Sequence, residues 1–529
     1  MLNVIWLSIR KENPPRGYWD HGMVEYLLSK FETNHVMGTI PPHIKSGVVV
    51  IPSRNQARDI EAINDQLDKL EWCVVILTGD EESVFPFEGL RHPRMRVWVM
   101  SPKMGRHDGA ANLIGSGFRV EQTDLQEDMG MHERKYDWFF SGQITHPVRV
   151  KMAEQLRQMS GGKLHESSGF GQGLNQEEYT RELIQAKFVP APSGPVSPDN
   201  FRLYEALEAG SIPIADGGPY WPYLLREMPP FPIVSDWAVL PSMMPELLRE
   251  WPHNANLTYS WWQGYKRRMV DKLEDDITAV AGTKPTRVFE SDITVLMPTS
   301  AIPSHPSTQM IERTIASVRE RLPNSEIIIT IDGLAPDMME YKGAYEDYTA
   351  RLLWKLNNEY ENITPIVMPK FSHQTGMAKA ALKLVRTPLI HYVEHDTPDT
   401  GEIPFDRLGD LIKSGYAHTI RLHHETHVLD EHQYLQLDAA PQEVLGVPVI
   451  RSRQWSQRPH LSSTEYYRHI CEKYFNEDKP MFIEHVMYGL IVHGDFNEHR
   501  LHIYAPPGNM LRSSNLNGRA YQVEDEQCS

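Results

Sequence analysis

Cysteine is scarce in this 529-residue chain: Cys73, Cys471 and Cys528 are far apart and odd in number. That argues against a disulfide framework and a cysteine zinc site, and makes a reducing cytoplasm the expected compartment. Positive charge is also in short supply. Lys plus Arg number 53 against 70 Asp plus Glu, a formal balance of −17. A polybasic nucleic-acid coat needs clustered Lys and Arg and is excluded, while a local basic groove stays open. No apolar run approaches the roughly 18–20 residues of a membrane span. Residues 1–9 are apolar, but the stretch is short, lacks a basic head and runs into Arg10-Lys11-Glu12-Asn13-Pro14-Pro15. It reads as a buried first strand rather than a signal peptide.

What remains is an ordinary globular composition, 40% hydrophobic and 23% charged, at a length suited to two to four domains. Histidine is unevenly spread: 13 of the 24 fall between His391 and His502. Most of these read as surface or core histidines, and motif context has to single out any ligand or base.

Strand-like and helix-like segments alternate from the start. Residues 2–9, 47–51, 72–77 and 96–100 read as strands, and 22–31 and 59–70 as helices. This is the signature of βαβ units and a parallel sheet. The pattern restarts at Asp137-Trp138-Phe139-Phe140-Ser141-Gly142, followed by helices at 147–159, 179–186 and 200–209 and strands at 187–190 and 211–215. Two successive halves of this kind would face each other across a cleft. A long helical stretch at 259–280 ends in Ala281-Gly282-Thr283-Lys284-Pro285-Thr286, which reads as a linker. A third unit follows, with strands at 293–297, 326–331 and 388–393.

In the second half, Ser197-Pro198-Asp199-Asn200 turns into a helix that carries Arg202 and Glu205 and stops at Gly210. A helix N-terminus with an added Arg suits a diphosphate, and a Glu one turn in suits a ribose. An ordinary capped helix with solvated Arg and Glu fits the same residues. The stretch from Phe201 to Ile214 resembles the nucleotide-sugar signature of exostosin-like glycosyltransferases, and Phe139-Phe140-Ser141-Gly142 with Arg149 resembles the strand and helix before it. The resemblance implies a GT-B-like pair of Rossmann-type subdomains (1–125 and 126–283), a nucleotide-sugar donor, and donor contacts at Ser197, Arg202 and Glu205. A base belongs in the first subdomain, where Asp20 or His21 follows the first strand. Asp20 equally fits the role of an N-cap.

In the third unit, Glu394-His395-Asp396 ends a strand, and alternation puts Glu394 and Asp396 on one face. Two carboxylates at a sheet mouth suit Mg²⁺ or Mn²⁺. An acidic turn is the plain alternative. Val295-Leu296-Met297-Pro298-Thr299, Asp332-Gly333 and Glu394-His395-Asp396 together resemble the inverting family-2 glycosyltransferases, which are single-Rossmann, GT-A-like domains. The resemblance implies nucleoside contacts at Thr299 and Asp332, a metal at Asp396 and Glu394, and a weaker donor contact at Lys379. Glu394 stands where that family has its first Asp. Glu484, in Ile483-Glu484-His485, is placed to be the base where the family shows Glu-Asp, although a helix carboxylate paired with an Arg fits as well. His502 is a candidate metal ligand and equally a structural histidine. His423-His424-Glu425-Thr426-His427 lacks a matching outside ligand, and Arg512 and Arg519 are candidates to close over a diphosphate.

The expectation is therefore an α/β glycosyltransferase in which a GT-B-like pair of subdomains precedes a GT-A-like domain at 288–529. The expected donor is a UDP-sugar, the cofactor Mn²⁺ or Mg²⁺, and the acceptor a glycan, a protein or a modified DNA base. A cytoplasmic bacterial or phage enzyme fits this better than an anchored Golgi enzyme. The alternatives are a non-catalytic glycan- or nucleotide-binding scaffold, a chain with one active domain, or a hydrolase.

Overall fold

The computed structural model describes residues 1–9, 21–118, 134–169, 172–423, 430–476, 479–507 and 511–517. The protein is α/β and divides into two compact units, Met1–Val288 and Phe289–Ser529.

The first unit holds two parallel sheets. One is built from β1 (Leu2–Leu7), β2 (Thr33–Gly38), β3 (Ser46–Pro52), β4 (Trp72–Thr78), β5 (Met95–Met100) and β6 (Asn112–Ile114), in the order β2-β1-β3-β4-β5-β6. Val48–Val50 and Val74–Ile76 are fully buried. Central parallel strands are covered on both faces, so they read as continuous apolar runs. The second sheet comprises β7 (Tyr136–Gln143), β8 (Lys163–Ser167), β9 (Ala186–Ala191) and β10 (Ile212–Ala215), in the order β10-β9-β7-β8. Both sheets have the doubly wound order in which the strand sequence reverses beside the first strand. In such sheets ligands bind outside the carboxyl ends of the strands at that reversal.

One helix, Trp251–Ala281, reaches both sheets. Near its middle, Lys266 Nζ pairs with Glu208 at 2.7 Å, both side chains less than 5% exposed, and Trp262 Nε1 donates to the same carboxylate at 2.5 Å. Near its end, Asp276 accepts from Trp98 of β5 at 2.8 Å and from Asn112 of β6 at 2.9 Å. The helix closes on Gly282 at φ +80°, a left-handed cap that suits glycine. The residues after it are not a free linker. Phe31 and Arg287 form an antiparallel bridge, Glu32 N–H donates to the Thr286 carbonyl, and Arg287 pairs with Asp271 and Glu274. The segment stays strapped to the first subdomain as far as Val288.

The second unit contains one mixed sheet, which among the described residues has nine strands: β11 (Ile293–Thr299), β12 (Ile327–Ile331), β13 (Ile363–Val367), β14 (Leu389–Tyr392), β15 (Thr419–Arg421), β16 (Gln442–Val444), β17 (Val447–Arg451), β18 (His460–Ser463) and β19 (Leu501–Tyr504). Their order is β13-β12-β11-β14-β18-β15-β19-β17-β16. The first four are parallel, so Thr299, Asp332 and Glu394 come to the carboxyl edge of one Rossmann-type half-sheet. No described helix is long and apolar enough to cross a membrane.

Removing one partner of a buried ion pair leaves the other charge uncompensated, at a cost of roughly 3–5 kcal/mol. Lys266→Met, which keeps the apolar stem, should lower the stability of the first unit by about that amount, read as a drop in its urea midpoint.

Candidate functional site

The carboxyl edge of β11, β12 and β14 gathers acids. Glu394 is half-buried, and its Oε1 accepts from Gln374 Nε2 at 2.5 Å. Burial, and then the charges of Asp396 and Glu484, push its carboxyl up to about 8, against the pull of the Gln374 hydrogen bond. His395, between the two acids in sequence, is buried, and its backbone N–H donates to Pro298. Glu484 lies in the first turn of the helix Ile483–His493, and the Ile483 N–H donates to Gln374 Oε1 at 3.1 Å. One amide thus ties Glu394 to the start of the helix that bears Glu484. Gln374 lies in the first turn of the helix His373–Leu382, and no local pattern singles it out in the sequence.

Asp332 is buried at the end of β12. Its Oδ1 accepts from the N–H groups of Gly333 and Ser372, both at 2.8 Å, and its Oδ2 from that of His373 at 2.9 Å. Burial pushes its pKa up to about 6 while these N–H groups hold it down. The carboxylate therefore caps the helix His373–Leu382. Gly333 is needed because a Cβ there would lie 2.2 Å from the Lys370 backbone. Thr299 hydrogen-bonds the Tyr348 hydroxyl at 2.8 Å, beside a His305–Tyr348 stack. Lys379 Nζ donates to the Phe475 carbonyl at 2.7 Å, at the end of the helix Thr464–Tyr474.

His502 is not brought to Asp396. Its strand, β19, lies three places from β14, about 14 Å at ordinary strand spacing. Its ring packs near Tyr416 and Phe496. The interposed β18 and β15 separate the two, and chain order did not reveal them. Arg512 is buried with its guanidinium 5.8 Å from the Tyr504 ring centroid. Arg519 and the run from His424 to His427 lie outside the described residues. Among the described residues no group of three or more His, Cys, Asp or Glu side chains is arranged to hold a metal. Glu394 and Asp396 nevertheless suit a hard cation, which needs few protein oxygens and would relieve the crowding that raises Glu394.

In the first unit, a cavity of about 820 Å³ lies at the carboxyl ends of both sheets, reached by Pro52 of β3, Thr78 of β4 and Ser141 of β7. The helix Phe201–Glu208 begins at its wall. The N-cap residue Asn200 makes no side-chain cap and instead donates to the carbonyls of residues 191, 192 and 198. Arg202 donates to the Ser141 carbonyl at 2.7 Å and lies 4.5 Å over the Phe140 ring. A Cβ on Gly142 would come within 2.6 Å of this guanidinium. Arg149 lines the same cavity; burial and then the Arg202 charge pull its pKa down to about 10. Among the described residues Arg149 Nε and Arg202 Nε have no hydrogen-bond partner.

Glu205 also lines the cavity and accepts from the Tyr179 hydroxyl at 2.8 Å. Ser197 is not on the cavity wall. Its hydroxyl accepts from the Asp199 N–H at 3.1 Å and pairs with Tyr220. Asp20 lies outside the described residues, and His21 is buried against Trp6.

No known family profile matches the chain, and no curated protein matches it. Among solved structures it is similar to S. aureus TarS 1–349, with 13% identity and a TM-score of 0.29 over 42% of this chain and 60% of that one. It is similar to the same protein in complex with UDP-GlcNAc (13%, TM-score 0.29, 44% and 59%) and with UDP (14%, TM-score 0.27, 41% and 59%). The chain thus spans about three fifths of the length of these solved chains. At TM-scores this low the likeness carries no functional argument.

The raised carboxyl of Glu394 has a consequence for stability. An unfolded glutamate releases its proton near 4.5, whereas folded Glu394 keeps it to about 8. The contribution is therefore fully present below pH 4.5 and is lost as pH rises through 8. Glu394→Gln should flatten the fall in urea midpoint between pH 5 and 8.5, measured without divalent cations.

Proposed function

We propose that the protein is a glycosyltransferase that moves sugars from nucleotide-sugar donors, UDP-sugars foremost, to an acceptor hydroxyl. It has a metal-dependent, inverting site in the second unit and a metal-independent donor site in the first. The observation that carries this reading is the opposite charging of the two strand-end sites. In the first unit two arginines and the start of the helix Phe201–Glu208, which Asn200 does not cap, face the cavity, so the protein itself supplies positive charge for a diphosphate. In the second unit the corresponding helix start is already capped by Asp332, and the side chains beside it are the carboxyls of Glu394, Asp396 and Glu484, crowded enough that Glu394 holds its proton up to about 8. Positive charge there has to come from a cation. Glu394 and Asp396 are the residues that would hold Mn²⁺ or Mg²⁺, which when bound neutralises charge on the departing nucleoside diphosphate.

Glu484 then accepts the proton of the acceptor hydroxyl as its oxygen forms the bond to the anomeric carbon and the bond to the diphosphate breaks. Direct displacement of this kind inverts the anomeric centre. The acceptor class, whether glycan, protein or modified DNA base, belongs to the same proposal. A second reading, in which only the first unit turns over donor, is favoured by one observation: Asp332 and Thr299 are engaged in hydrogen bonds within the protein.

Two experiments test the reading. Asp396→Asn keeps the side chain's shape and removes its charge. It should abolish Mn²⁺-dependent donor turnover with the melting midpoint unchanged, and EDTA should do the same to the wild type. Glu484→Gln should still bind donor and slow transfer roughly 10²–10⁴-fold. Turnover at the second unit that persists in EDTA would refute the metal assignment. In the first unit, Arg202→Ala should weaken nucleotide-sugar binding by about 1.5–3 kcal/mol, the worth of a charge-assisted contact, read by calorimetry on the full chain in EDTA.

A further inference from the structure

The cleft of the first unit has a leaving-group side, formed by Arg149, Arg202 and the helix Phe201–Glu208, while of the two bases the sequence offered, Asp20 lies outside the described residues and His21 is buried against Trp6. We propose that Glu81 is the catalytic base of this cleft and takes the proton of the acceptor hydroxyl. The proposal rests on the donor reading of the same cavity.

Glu81 lines that cavity from the first sheet. It follows β4 by way of Gly79, which turns the chain at φ +67°, and so stands at the carboxyl edge where open parallel sheets bind ligands. The arginines belong to the second sheet's half. Acid and anion-binding groups thus occupy opposing halves, the division of labour that a direct displacement needs.

The other carboxylates at this edge are already committed. Asp80 accepts from the N–H groups of Val84 and Phe85 at 2.9 and 2.8 Å. Asp199 accepts from Ser116 N–H at 2.8 Å and Tyr204 hydroxyl at 2.6 Å, and Glu205 from Tyr179. Arg54, the cation beside Glu81, makes its ion pair with Glu82 at 2.8 Å. Among the described residues no hydrogen bond or ion pair occupies the Glu81 carboxylate, which is open to solvent within the cavity. The protein flanking it still desolvates it enough to raise its pKa above the ordinary glutamate value, a shift that Glu82 assists and that Arg54 and Arg149 oppose. A base of raised pKa is a better proton acceptor near neutrality.

The step balances without a further reactant. The acceptor oxygen forms its bond to the anomeric carbon as the bond from that carbon to the phosphate oxygen breaks. The electron pair leaves on the nucleoside diphosphate, and the hydroxyl proton passes to Glu81. His146, whose Nδ1 has no hydrogen-bond partner among the described residues and which also lines the cavity, is the rival base. It begins the helix that carries Arg149 and so sits on the leaving-group side.

The test uses the full-length protein in EDTA, with a panel of UDP-, GDP- and dTDP-sugars as donors, water as acceptor and UDP, GDP and dTDP as binding probes. Glu81→Gln should keep the wild-type melting midpoint and nucleotide affinity. It should lower donor hydrolysis roughly 10²–10⁴-fold and remove the acid limb of the pH profile, while Glu81→Asp recovers part of the rate. Wild-type hydrolysis in Glu81→Gln, with loss in His146→Ala, would overturn the assignment and leave the donor site standing. Failure of the wild-type cleft to bind or hydrolyse any of the panel would overturn the donor reading, and Glu81 with it.

Discussion

Like charges gathered at the carboxyl ends of parallel strands are the constraint on which both units turn. Arg149 and Arg202 share one wall of the first unit's cavity, and the pKa of Arg149 is pulled down in part by its neighbour. Glu394, Asp396 and Glu484 do the reverse in the second unit, where Glu394 is pushed up to about 8. Such groupings cost folding free energy unless a counter-charge arrives. In the function proposed above, each site takes a ligand of opposite sign to these groups: an anion beside the arginines of the first unit, a cation beside the carboxyls of the second.

The difference between the sites follows from who caps the adjoining helix. Asp332 fills the start of His373–Leu382 with both carboxylate oxygens, so that helix has no positive end left to offer a phosphate. Asn200 turns its amide toward carbonyls and does not itself cap the start of Phe201–Glu208. The two helix starts thereby differ through one side chain each, and the arginines beside one and the carboxyls beside the other add to that difference.

Holding like charges together requires a stiff frame. In the first unit that frame is the helix Trp251–Ala281, fastened to one half by the Lys266–Glu208 pair and to the other by Asp276. In the second unit the small brace is Gln374, whose amide joins Glu394 to the first turn of Ile483–His493. Both devices link residues through paired polar groups in partly or fully buried settings, where unmade hydrogen bonds are expensive.

The central strands were legible from sequence because parallel strands buried on both faces need continuous Val and Ile runs. With β1, β3, β4, β11, β12 and β14 came their carboxyl ends, and with those Asp332, Glu394 and Asp396. The Arg-bearing helix after Asn200 was legible as well, since turn residues and a stopping glycine are local signals; that Asn200 does not cap it was not. Strands β2 and β8 escaped because edge strands such as Thr33–Gly38 carry little apolar pattern. The run after Gly282 looked like a linker because the backbone hydrogen bonds of Thr286 and Val288 go to residues about 250 positions away. Only the tertiary structure could decide that β18 and β15 lie between β14 and β19, that Gln374 meets both Glu394 and Ile483, and that Glu81 shares a cavity with Arg149 and Arg202. Local sequence sets which segments become strands and which residues end them. Which ends meet is decided by strand order and side-chain packing, and neither leaves a periodic trace along the chain.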